Sequence, residues 1–201
     1  MIGPTAMIPV ALFALATVGT PGPNNVMLTA SGARYGYRGT LVHIAGILGG
    51  SAVLYLGVAL GLGAIFQQYA LVQYTLRGLG AAYLLYLAWR IASAPPPRLD
   101  VAGDARPLSF AAAAAFQFAN PKVWVMGLTL TASFLPAQGP MFANAVVLTA
   151  IMLIVGFPCL SFWATFGSVI GRMLRTNRAW RVFNIVMGAL TAACVGFIIV
   201  D

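Results

Sequence analysis

Apolar positions fill the chain in six long runs, at about 5–33, 40–66, 69–89, 108–135, 141–171 and 182–200, separated by short polar or basic connections. An α-helix needs roughly 20 apolar residues to cross about 30 Å of hydrocarbon, so this pattern predicts an all-α integral membrane protein of six transmembrane helices. Two of the runs are interrupted. The first contains Thr20-Pro21-Gly22-Pro23-Asn24-Asn25 and the fourth contains Asn120-Pro121-Lys122. Proline lacks a backbone donor, clashes with the preceding turn and pushes the residue before it out of helical geometry. Both helices are therefore expected to be discontinuous.

The segment Ser93 to Pro107, with three consecutive prolines, Asp100 and Asp104, is the one stretch that reads as a linker. It divides a single transmembrane domain, 1–201, into a first repeat of about 1–93, a cytoplasmic linker of about 94–107 and a second repeat of about 108–201. Each half has three spans, so related halves must be inverted in the membrane. Each half also opens with its broken helix. In lipid, unpaired backbone survives only where it is buried in protein or lines a wet cavity. Prolines that merely kink helices for packing are the plainer reading of a single break; two matching breaks flanked by asparagines point to a transporter binding site.

Composition narrows the picture. The 201 residues are 61% hydrophobic and 7% charged, with a mean hydropathy of +0.91, which leaves no room for a soluble domain. No basic stretch precedes the first run, so it is expected to be retained rather than cleaved as a signal peptide. The net charge of +8 would suit nucleic acid only if it were clustered on one surface. Instead Arg34 and Arg38 fall in the first connection, Arg90, Arg98 and Arg106 in the third, and Arg172, Arg175, Arg178 and Arg181 in the fifth. The second and fourth connections carry none. The positive-inside rule then puts odd-numbered connections in the cytoplasm and both termini outside, in a multi-pass membrane protein.

Enzyme chemistry finds no support. The chain has no glutamate, its three aspartates are Asp100, Asp104 and Asp201, and its single histidine has no neighbouring ligand set for a metal. No cofactor is expected. Cys159 and Cys194 read as small packing residues rather than a redox pair.

The candidate site follows from the breaks. Pro21, Gly22, Pro23 and Pro121 form the interruptions, and Asn24 or Asn25 suits the N-cap of the new half-helix, whose free amides favour a carboxylate. Asn120 offers acceptors for an ammonium. Lys122 lies roughly 20 Å into the fourth span, where a functional ammonium and a snorkelling one are both open readings. For Arg77, outward snorkelling and a role in the pathway stand level. His43 reads as interfacial or packed before it reads as a proton relay. Gly46, Gly49, Gly50, Gly57 and Gly61, and later Gly156, Gly167 and Gly171, give small faces for close helix contact and permit a homodimer.

These residues resemble a known family. "PGPNN" followed by "GYRGT", "GAAYLLYLAW" in the third span, and "NPK" followed by "SFLP" in the fourth are similar to the LysE/RhtB family of bacterial amino-acid exporters, over essentially the whole chain. "TPGPNN", "FQFAN" and "FNIV" look most like its cysteine/O-acetylserine exporter group. The resemblance implies a six-helix inner-membrane exporter of amino acids or close derivatives, driven by the proton gradient, with Pro21, Gly22, Pro23, Asn24, Asn120, Pro121 and Lys122 in the signature positions. Many members carry an aspartate near the position of Gly50 or Ser51, and this chain does not. A cationic substrate then lacks a counter-charge, and a small neutral amino acid fits better. A small-solute or ion channel, or an exporter of a non-amino-acid substrate, is the alternative reading of the same breaks.

Overall fold

The structure, a computed structural model, describes residues 4–95, 107–136 and 138–196. Most of the expected linker, with Arg98, Asp100, Asp104 and Arg106, and the end of the sixth run lie outside them. Among the described residues every regular element is helical.

Helix α1 (Pro4–Gly19) stops where Pro21 forbids continuation, and α2 (Pro23–Gly57) restarts with Pro23 at its first position, where a missing N–H does no harm. α2 folds back on itself at Gly36, whose φ of 71° and ψ of 173° are readily reached by glycine alone. Ser31 Oγ and Thr40 Oγ1 lie 3.1 Å apart across this fold, whereas straight helix would separate them by roughly 13 Å along the axis. The first connection is thus one residue, and Arg34 and Arg38 sit on helix on either side of it. A π-helical segment, Val58–Leu62, follows, with Gly61 at φ 116°, then α3 (Gly63–Gln68) and α4 (Ala70–Ala92). Gly57 and Gly61 therefore serve a change of helix type rather than a packing face: a Cβ on Gly57 would meet only Leu62, and one on Gly61 nothing.

The second interruption repeats the first. α5 (Phe110–Ala119) is capped by Ser109 Oγ, which accepts from the amide of Ala112, and α6 (Pro121–Phe134) begins with proline after an extended Asn120. α7 (Met141–Met173) and α8 (Asn177–Ala193) complete the chain. Arg178 and Arg181, expected in the fifth connection, lie on α8, because Thr176 Oγ1 accepts from the amide of Ala179 and starts that helix early.

α2 packs most extensively on α7. Gly32 faces the carbonyl of Ala164, Gly167 that of Thr29 and Gly171 that of Ala33, each with no room for a Cβ. Past Gly36, Gly46 and Gly50 lie in the same way on Phe110 and Ala114 of α5. Close backbone approach is what small residues give helices in lipid, where apolar burial supplies no driving force. The rest of the molecule matches that solvent. Leu12, Leu71, Ile154, Phe162 and Val182 are exposed, whereas Asn25, Thr29, His43, Gln117, Asn120, Asn144 and Asn184 are buried. Pro23–Ile65 and Met141–Met173 are long and apolar enough to cross a membrane.

Candidate functional site

The two interruptions meet. Gly22, Pro23, Asn24 and Asn25 from the first and Asn120 and Lys122 from the second line one cavity, together with Thr17 of α1, Ser51 and Tyr55 of α2, and Met152 of α7. Its volume is ≈ 40 Å³, room for about three water molecules and well below the roughly 300 Å³ of small-ligand sites.

Breaking a helix in an apolar medium leaves carbonyls without partners, and here those from Thr17 to Pro21 are answered. Thr20 Oγ1 donates to the carbonyl of Thr17 at 3.0 Å. Asn25 Nδ2 donates to Val18 O at 2.9 Å and Thr20 O at 2.7 Å. Trp163 Nε1 reaches Gly19 O from α7 at 3.2 Å. Lys122 Nζ, from the other interruption, donates to Thr20 O at 2.9 Å, Thr20 Oγ1 at 3.0 Å and Pro21 O at 3.4 Å. The ammonium thus sits at the carbonyl end of α1, where the helix dipole favours a cation. It does not snorkel away.

The N-terminal ends differ from each other. Asn120 Oδ1 accepts from the amide of Lys122 at 3.2 Å and caps α6, with extended φ and ψ of −96° and 105°, as its place before Pro121 demands. The cap of α2 is Gly22, not Asn24 or Asn25, and no side chain bonds there. Pro23 precludes an Asn cap by occupying the first helical position, which leaves the amides of Asn24 and Asn25 in the first turn among the orphan donors. Asn25's own carboxamide turns back onto α1.

Asn24 instead pairs with Gln117. Asn24 Nδ2 donates to Gln117 Oε1 at 2.8 Å, Gln117 Nε2 returns a bond to Asn24 Oδ1 at 3.3 Å, and Gln117 Nε2 also donates to Ala113 O at 2.8 Å. Gln117 was not among the residues singled out from the sequence. Its signal was available: a glutamine inside an alanine and phenylalanine run, one turn before Asn120, is costly in lipid unless partnered.

The remaining polar residues separate into those near the site and those away from it. Ser51 lines the cavity, whereas Gly50 is pressed against α5, so only position 51 could present a side chain to the site. His43 is 2% exposed, not interfacial, and neither ring nitrogen has a partner. Arg77 is half-buried on α4 and lines neither this cavity nor the larger one beside His43. Cys159 and Cys194 are free thiols. Among the described residues no group of histidine, cysteine or carboxylate could hold a metal.

Comparisons with known proteins identify the family. Residues 15–200 match the LysE type translocator family. The chain is 30% identical over 194 residues to the cysteine/O-acetylserine efflux protein of Escherichia coli (strain K12), covering 95% of this chain and 96% of that one. The proteins of that name from Shigella sonnei (strain Ss046) and Shigella flexneri are 30% identical over 194 residues and 31% identical over 185 residues; the first pairing covers 95% of this chain and 96% of the relative, the second 90% and 91%. No solved structure matches. With a family match over nearly its whole length and relatives end to end, this chain belongs to the LysE type translocator family, and it is a membrane transporter rather than an enzyme.

Proposed function

We propose that the protein exports a small neutral amino acid or derivative, of the cysteine or O-acetylserine kind, across the bacterial inner membrane, with the zwitterion held between the two breaks. One observation carries this reading. Lys122 brings a positive charge to the carbonyl end of one half-helix, beside the uncapped amide end of the next, and no aspartate or glutamate occurs in any of the helices to balance it. A substrate carboxylate fits between the Lys122 ammonium and the amides of Asn24 and Asn25. The substrate ammonium fits the carbonyls of Thr20 and Pro21, which already hold an ammonium, with Asn120 as a further acceptor.

Loading is then an exchange. As the substrate ammonium takes the Thr20 and Pro21 carbonyls, Lys122 is freed to meet the carboxylate. The carboxylate is then paired with Lys122 and the substrate ammonium takes over the carbonyl dipoles that Lys122 leaves, so a zwitterion enters without adding to the net charge of Lys122 itself. A cationic amino acid would add a charge with no partner.

Six spans in two inverted repeats complete the reading. Each half opens with its broken helix, α1 with α2 and α5 with α6; α4 packs on α5, α8 packs on α2, and α4 and α8 pack on each other. Rocking of one half against the other would expose the cavity to alternate sides, with the basic connections cytoplasmic. Coupling to the proton gradient belongs to the same reading, with Lys122 and His43 as the titratable groups nearest the pathway.

Counterflow in proteoliposomes tests it. Unlabelled cysteine, O-acetylserine, threonine, leucine or lysine is loaded inside, and uptake of the labelled counterpart is followed. Saturable accumulation of a neutral amino acid, and none of lysine, is the expected result. Lysine transport would overturn the charge argument. Flux without saturation or counterflow would indicate a channel.

A further inference from the structure

Beside the fold of α2 at Gly36 and the basic end of α4 lies a second cavity of ≈ 720 Å³, within the roughly 300–1,000 Å³ typical of small-molecule sites. Its wall includes Ser31 and Arg34 from α2 before the fold at Gly36, His43 from α2 after it, Tyr83 and Arg90 from α4, and Asn184 from α8. The mouth is pinned by side chains: Arg34 Nη1 donates to Pro95 O at 2.7 Å and Asn184 Nδ2 to Ala94 O at 2.8 Å. One of the five guanidinium donors of Arg34 is thereby engaged. Among the described residues, the wall carries two guanidiniums and no carboxylate.

His43 is the second, independent feature. It borders the cavity while 98% buried, and both ring nitrogens lack a partner, an arrangement rare for a buried polar group. It also marks the route inward. His43 and Ile47 are one turn apart on the same face of α2, and His43 borders this cavity while Ile47 borders the one at the breaks. Met27 and Asn24 are related in the same way on the other limb. Between the cavities stand the buried cluster containing Met27 and Phe116 and the Asn24–Gln117 pair.

We propose that this larger cavity is a second, inner binding site for a small zwitterionic amino acid. Arg34 and Arg90 take its carboxylate, His43 takes a hydrogen bond, and the ring of Tyr83 takes its ammonium, the Tyr86 ring being already covered by Arg90. The substrate waits there until the Asn24–Gln117 pair and the apolar cluster open toward the breaks. The proposal rests on the exporter reading above.

Binding stoichiometry tests it. Purified protein in phosphatidylcholine nanodiscs is titrated with radiolabelled O-acetylserine by equilibrium dialysis, and export is measured in parallel. Two molecules per chain are expected for the wild type and one for Lys122→Ala, whose loss falls at the breaks. His43→Phe and, as an exposed change that leaves the core alone, Arg90→Gln should each lose one site and raise the KM for export by about tenfold or more. A single site in a wild type that transports, with Arg90→Gln unchanged, would overturn the inner site while leaving the exporter standing. Two sites restored only by Asp100→Asn with Asp104→Asn would assign the cavity to the chain's own connection. Loss of the second site on adding phosphatidylglycerol would assign it to lipid headgroups. Absence of both binding and transport would instead overturn the exporter reading itself.

Discussion

The carboxamides of Asn24 and Gln117 exchange hydrogen bonds at 2.8 and 3.3 Å, joining the two interrupted helical runs across 93 residues of sequence. Gln117 is fully buried, so either partner alone would leave a polar group stranded in an apolar medium. In a double-mutant cycle on thermal stability in detergent, Asn24→Ala and Gln117→Ala should couple by roughly 0.5–3 kcal/mol. Additive effects would mean that the pair does not hold the breaks together.

Lys122→Ala should reduce export by about tenfold or more, roughly 1.4 kcal/mol of lost interaction, while leaving the protein in the membrane at wild-type level. Lys122→Arg should recover only part of this, because a planar fork does not reproduce a compact ammonium on three closely set oxygens. Normal export by Lys122→Ala would remove Lys122 from the site. Asn24→Ala should likewise lower export without loss of insertion.

Gly22 gives the lysine its path. A Cβ built there would stand 3.1 Å from both Cδ and Nζ of Lys122, close enough to displace the ammonium from the Thr20 and Pro21 carbonyls. Backbone strain is not the issue, since Gly22 is extended at φ −177° and ψ −179°. Gly22→Ala should therefore lower export less than Lys122→Ala, and adding it to Lys122→Ala should cost nothing further. Additive losses in the combined variant would show that Gly22 acts on something else.

The α2–α7 contact should tolerate no side chain. Gly32→Ala and Gly167→Ala each drive a methyl into facing backbone, at a cost of about 1–3 kcal/mol or more, and should lower the unfolding temperature measured in detergent. Gly78→Ala, on α4 with open space beside it, is the control and should be neutral or slightly stabilising. Equal effects at all three positions would argue against close helix packing as the source of stability.

Much of this architecture is written in local chemistry. The six apolar runs, the two interruptions and the glycine faces at Gly46, Gly50, Gly167 and Gly171 follow from hydrocarbon thickness, proline's missing donor and helical period, none of which depends on the rest of the chain. Helix ends were less legible. Gly36 turns α2 sharply enough that no polar connection is needed, and Thr176 starts α8 among arginines that read as loop.

The sequence by itself determined that two half-helix junctions, each rich in polar groups, had to be satisfied somewhere inside the protein. Only the tertiary structure decided who satisfies them: Trp163 and Lys122 reach the end of α1 from elsewhere in the chain, the Asn25 carboxamide turns back onto α1, and Gln117 pairs with Asn24. The physical reason is that a broken helix creates a demand for hydrogen-bond partners through local sterics, while the supply comes from side chains brought near by packing. The cavity beside His43 likewise exists only where α2, α4 and α8 come together.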